Sequence, residues 1–310
     1  MGDESPTFIM KILVFSPFQA IEFHAYPEAF FAQELKNAGH EITYLGWDGF
    51  LETSCIAQSA YGVHYPASIE EKRKVCLRCR EARTDTKKHF NGFLLLEQYY
   101  DSSFDAEIEQ IVARIRAEDI AALSYHGIPV GRYASYEFIL YCKTADVTKI
   151  SDELLALYKY DLKNALKAIV AVEVLFAAQK FDRILMYNSS YAINNVVREI
   201  AVKKGIAVAF THSSFNLKYR SESLYSSWKR TPDYDRDAIG YFDERHPDIN
   251  VDYNLYEIPL AHIKEQLSAK SVFTYSEQKS GKFTELFSKL NILPRHKKIV
   301  LMSLSSFDEA

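Results

Sequence analysis

Apolar residues open the chain in a nearly unbroken block. Met10–Lys11–Ile12–Leu13–Val14–Phe15–Ser16 has the pattern of a strand buried on both faces. A loop with His24–Ala25–Tyr26–Pro27 follows, and helical spacing over 25–37 predicts a helix. Its Phe30, Phe31 and Leu35, with the small Ala29 and Ala32, are expected to face the sheet. Gly39 is placed to end it, and Glu41–Ile42–Thr43–Tyr44 begins a second strand over 41–45. Strand, loop, helix and strand make a βαβ unit. His24 then falls just before the helix, where a parallel α/β sheet opens its ligand cleft.

The same alternation returns later. Arg183 to Tyr187 reads as a strand, Asn188–Ser189–Ser190 as its loop and 191–203 as a helix stopped by Gly205. Ile206 to Phe210 is a further strand, leading into a loop at His212. Between these halves, helices are predicted over 104–117, with Ser103 or Asp105 as cap, over 134–142, and from Ser151 or Asp152 to about Lys180. A strand is predicted over Ile120–Tyr125, followed by a glycine-containing loop from His126 to Tyr133. Residues 63–66 suggest a short strand. The charged stretch 68–90 suggests either a solvated helix or the positive wall of a cleft. The expected fold is α/β, with a Rossmann-like parallel sheet covered by helices on both faces.

Beyond residue 214 the pattern weakens. Residues 215–255 read as a loop-rich insertion, 260–269 and 281–289 as helices, and 272–275 as a short strand. Residues 298–304 read as a strand opening a new unit. The expected organisation is a flexible lead-in over 1–9, one Rossmann-like domain over 10–293, and a linker with the first strand of a missing C-terminal domain over 294–310.

Composition narrows this picture little. The 310 residues are 48% apolar and 25% charged, ordinary for a globular α/β chain. A net charge of −4 gives no push towards nucleic acid or anionic lipid. No apolar run reaches the length of a membrane span, and the acidic start lacks the basic segment of a secretory signal. Four cysteines do not make a secreted disulfide scaffold, so a reducing cytosol is expected.

His24-x-x-Pro27, then Phe31–Ala32–Gln33–Glu34–Leu35 and Ala38–Gly39–His40–Glu41–Ile42–Thr43, resembles the first loop, helix and strand of GT-B fold glycosyltransferases. Gly127 to Tyr133, Tyr187–Asn188–Ser189–Ser190 and Lys204–Gly205–Ile206 resemble the same group. The glycines that usually precede that His are absent, and Ser16–Pro17–Phe18–Gln19 and Glu22–Phe23 stand in their place. That departure points to a bacterial capsule, lipopolysaccharide or polysaccharide type. The resemblance implies the acceptor-side domain of an enzyme that moves a sugar from a nucleotide-sugar donor to a saccharide or glycan. It implies no cofactor, no nucleic-acid partner, and a full-length protein that could meet a membrane peripherally. Most donor contacts would lie in a C-terminal half, so this chain alone is expected to be nearly inactive. Two other classes stay open: a non-catalytic carbohydrate-binding or assembly protein with this fold, and a sugar-nucleotide epimerase.

His24 is the first candidate for chemistry, because imidazole can take a proton near neutrality. It would act as general base on an acceptor hydroxyl if the reaction inverts, or as a substrate contact if it retains. Glu22 or Glu28 could orient it, although Glu28 in a first helical turn would also be explained by the helix dipole. His126 and Arg132 are candidates for an anionic group. Asn188 and His212 close two strands. All of these loops are expected to gather at the carboxyl edge of the sheet. Cys76–Leu77–Arg78–Cys79 has metal-like spacing but is a single pair. Its basic neighbours are expected to lower the thiol pKa values. No phosphate-loop, zincin, nucleophile-elbow or EF-hand pattern is present.

Overall fold

The computed structural model describes residues 9–51, 54–144, 146–213 and 224–230. In chain order these hold β1 (Lys11–Phe15), α1 (Glu22–Asn37), β2 (Glu41–Gly46), α2 (Ile56–Ala60), α3 (Ile69–His89) and β3 (Gly92–Leu95). Then come α4 (Asp105–Arg114), α5 (Val130–Cys142), α6 (Asp152–Ala178), β4 (Arg183–Tyr187), α7 (Ala192–Lys203), β5 (Ala207–Ser213) and β6 (Leu224–Ser227). The elements expected beyond residue 230 lie outside the described residues.

The six strands form one sheet in the order β3-β2-β1-β4-β5-β6. The first five run parallel, and β6 closes the row antiparallel to β5. This is a Rossmann-like α/β fold with helices on both faces. Alternation along each strand divides the core. Leu13, Phe15, Leu45, Ile184, Met186, Val208 and Phe210 face a large helical layer that includes α5, α6 and α7. Ile12, Val14, Tyr44, Leu185 and Ala209 face the other way, against Ala32, Phe31 and Leu35 of α1 and against Phe90 at the end of α3.

Local chemistry sets several boundaries. Ser68 and Glu71 form a reciprocal capping box at the start of α3. The Ser151 hydroxyl accepts the Leu154 N–H to open α6. Gly39 and Gly205, both at positive φ, carry the chain out of α1 and α7.

Five expectations are corrected. Helix α1 begins at Glu22, so His24 sits in its first turn and not in a loop before it. Phe30 is exposed; the buried residues of α1 are His24, Pro27, Glu28 and Ala32. Residues 117–122 form a 3₁₀ turn, not part of a strand, because only Ile120 of this small-residue run is buried. Residues 63–66 form a turn, and the cap of α4 falls on Phe104 with no side-chain bond. Two strands were not foreseen: β3, whose four residues are all half-buried, and β6, which falls in the expected insertion. Among the described residues, no helix is long and apolar enough to cross a membrane.

Candidate functional site

Strand order reverses between β1 and β4. One leads through α1 to β2, the other through α7 to β5. The crevice outside their carboxyl ends is where open α/β sheets take ligands. Here it is walled by aromatic rings. The Phe18 ring meets Trp47 edge-on at 5.4 Å and Tyr191 at 5.6 Å. His24 lies behind them, 2% exposed, stacked on Tyr187 with ring centroids 4.3 Å apart. Its Nε2 is 3.4 Å from the Tyr191 hydroxyl. His212, 8% exposed, also meets the Tyr187 ring, with centroids 5.8 Å apart. Burial lowers its pKa to about 4, so its ring is neutral near pH 7.

The turn from β4 into α7 is fixed from within. Asn188 adopts φ 68°, and its Oδ1 accepts the Ser190 N–H. The Asn194 amide donates to the Tyr187 and Asn188 carbonyls at 2.7 and 3.2 Å. Asn195 donates to the Ser190 carbonyl at 3.0 Å. Asn188 is thereby a turn former at the edge of the crevice.

Glu28 is tied to the end of β4. It lies in the second turn of α1, 2% exposed, and its Oε1 accepts the Tyr187 N–H at 2.9 Å. Burial raises its pKa to about 8 against the opposing bonds from Ser16 and Tyr187. The helix-dipole position belongs instead to Glu22, which is exposed in the first turn.

Beside the aromatic wall is a cavity of about 20 Å³, lined by Phe18, Trp47, Glu137, Asp161, Asn164 and Ala192 among others. Two carboxyl groups of the helical layer define it. Glu137 of α5 accepts the Ala192 N–H, the first of α7, at 2.9 Å. Its other oxygen, Oε2, is enclosed without a hydrogen-bond partner. Asp161 of α6, 6% exposed, accepts the Tyr65 hydroxyl. Burial raises the pKa of Asp161 to about 7. Burial, then the Asp161 charge, raises that of Glu137 to about 8. Asn164 braces the wall through its bond to the Ser54 carbonyl at 2.8 Å.

Neither carboxylate was a sequence candidate. A signal existed: Asp161 falls on the stripe Tyr158, Leu162, Ala165, and Glu137 falls beside Ala134 and Phe138. An acid on a core stripe is drawn inward: Asp161 is buried, and Glu137 is half-buried with its Oε2 enclosed.

The loop candidates do not all gather. His126 bonds Glu173, late in α6, at 2.7 Å. Lys203, the last residue of α7, donates to the His126 and Gly127 carbonyls at 3.2 and 2.9 Å. Since α7 starts at the carboxyl edge and leads back to the amino end of β5, His126 lies at the opposite end of the fold from His24. Arg132 follows it in the first turn of α5 and is exposed.

The charged helix α3 is neither simply solvated nor an open positive wall. Lys72 and Arg83 turn inward with Val75 and Cys79. Lys72 donates to the Tyr65 carbonyl at 3.0 Å, and Arg83 donates to the Trp47 carbonyl while pairing with Asp48 at 3.0 Å. Both cations thus brace residues of the cavity and its surroundings. Burial raises the Cys79 pKa, which reverses the lowering expected there, and burial pushes Cys55 further up. Among the described residues, no group of three or more His, Cys, Asp or Glu is arranged to hold a metal ion.

Comparison with protein-family models, with curated proteins and with solved structures found no match to this chain.

Proposed function

We propose that this chain is the acceptor-holding part of a GT-B type glycosyltransferase, taking a nucleotide-sugar donor and a saccharide or glycan acceptor in surface-polysaccharide synthesis. One observation supports this most: a crevice at the strand-order reversal that pairs aromatic faces with two buried carboxyl groups of raised pKa. Aromatic rings suit the apolar faces of a sugar ring, and carboxyl groups accept from its hydroxyls.

In the transfer step the acceptor hydroxyl gives its proton to an enzyme base. Its oxygen bonds to the anomeric carbon, the bond from that carbon to the donor phosphate breaks, and a nucleoside diphosphate leaves. A base poised near pH 7 serves this step best. Asp161, with a pKa of about 7, is proposed for that role. His24, behind Tyr191, is the second proposed base. Loss of kcat in Asp161→Asn with His24→Ala near wild type would select the carboxyl, and the reverse would select the imidazole.

The test is release of nucleoside diphosphate by the full-length gene product from a panel of UDP-, GDP- and dTDP-hexoses. Release from one donor, stimulated by a saccharide acceptor, is expected. A panel with no release above buffer overturns the transferase reading.

A further inference from the structure

The N-terminus of a helix attracts anions, and in sugar-nucleotide and dinucleotide folds it is a natural seat for phosphate. Here the chain fills that seat itself. The Ala192 N–H at the start of α7 is taken by Glu137 Oε1. The adjoining cavity has no lysine or arginine among its lining residues. It has instead the enclosed, unpartnered Glu137 Oε2 and the buried Asp161. A phosphate placed there would meet two acids and a spent amide.

Lys72 donates to the Tyr65 carbonyl. Tyr65 in turn donates its hydroxyl to one Asp161 oxygen. What the cavity lacks is a hydrogen-bond partner for Glu137 Oε2 and a cation beside the two acids; a cation bound there releases to solvent the proton that burial otherwise holds on Glu137. At about 20 Å³ it admits one water-sized group, and the Phe18 and Trp47 rings form part of its wall. An ammonium group has that size, supplies three donors, and is attracted both by carboxylates and by aromatic faces.

We propose that the Glu137–Asp161 cavity is a subsite for a primary ammonium group carried by a hydroxylated ligand, an amino sugar in chemical class. This rests on the crevice being the acceptor site, as proposed above. The subsite selects against phosphate and favours an amine-bearing ring over its hydroxyl counterpart.

The experiment is a titration of the ¹⁵N-labelled chain at pH 7 and fixed ionic strength with glucosamine, glucose and inorganic phosphate, following the Ala192 and Ile193 amides. Glucosamine is expected to shift both and to bind at least ~10-fold more tightly than glucose, the range of a charge-assisted hydrogen bond. Phosphate is expected to leave both unmoved. Glu137→Gln and Asp161→Asn should each remove the preference with the helical circular dichroism unchanged. Should either variant unfold, methylammonium competing with glucosamine on the wild-type chain, with tetramethylammonium not competing, carries the same information. Equal binding of the two sugars, phosphate binding at Ala192, or a preference that survives both variants overturns the subsite. Glucose binding without preference leaves the acceptor reading standing, whereas failure of both sugars to bind removes it as well.

Discussion

Tyr187 covers His24 with an interplanar angle of 21°, and the backbone N–H of the same tyrosine is held by Glu28 one helical turn further along α1. The end of β4 is thus pinned to α1 twice, once through a ring stack and once through a buried carboxyl. His24 cannot be removed without loosening that junction.

His24→Ala should therefore lower stability by about 3 kcal/mol, in the range of buried aromatic truncations. If His24 is the base, turnover of the full-length protein should also fall by about 10²–10⁴. Chemical denaturation and kcat, measured on the same preparation, separate the two effects. A stable variant with wild-type kcat would remove the imidazole from both roles.

Stability should depend on pH in a direction set by buried acids. Glu28 and Glu137 keep their protons to about pH 8 and Asp161 to about pH 7. Unfolded carboxyls release theirs near pH ~4. Between those limits the native state binds more protons, so stability falls as pH rises. His212 works the other way, with its folded pKa depressed to about 4. Its contribution is complete above about pH 6.5 and lost on acidification from there. Calorimetry from pH 6.5 to 8.5 should show Tm declining, and Glu28→Gln should flatten the slope. A Tm that climbs over that interval contradicts the buried protons.

Gly131 marks where α5 passes the 3₁₀ turn at 117–122. A Cβ there would overlap the Ile120 carbonyl oxygen, and the Gly131 carbonyl accepts the Tyr158 hydroxyl at 3.0 Å. Gly131→Ala should cost about 1–3 kcal/mol or more, as overpacking does. Urea melts that superimpose on wild type would refute this contact.

Thiol chemistry offers a quick check on α3. Burial holds the Cys79 thiol above its usual pKa and raises Cys55 further. Iodoacetamide at pH 7.5 should label both slowly in the folded protein and promptly after denaturation. Rapid labelling of native Cys79 would put it on the surface.

How far the sequence discloses this arrangement depends on what each residue faces. Strands β1, β2, β4 and β5 are legible as apolar runs because helices cover both of their sides. Strand β3 is not, since Gly92–Leu95 is short, half-buried and follows a highly charged helix. Ile120–Tyr125 misleads because two alanines imitate a strand while exposed. His24 and His212 both meet the Tyr187 ring, but not from the loops expected for them: His24 lies in the first turn of α1 and His212 inside β5, which runs on to Ser213 through its pairing with β6. His126 is not legible, because its side of the sheet depends on how α5, α6 and α7 pack. Glu137 and Asp161 look like surface charges until the stripes they interrupt are seen to be core.

Helix α6 runs unbroken from Asp152 to Ala178. Asp161, at the cavity, and Glu173, which grips His126, are about 18 Å apart along its axis at about 1.5 Å per residue. One unbroken helix therefore carries both contacts, so the side chain that accepts the Tyr65 hydroxyl and the one that holds His126 share a single rigid axis.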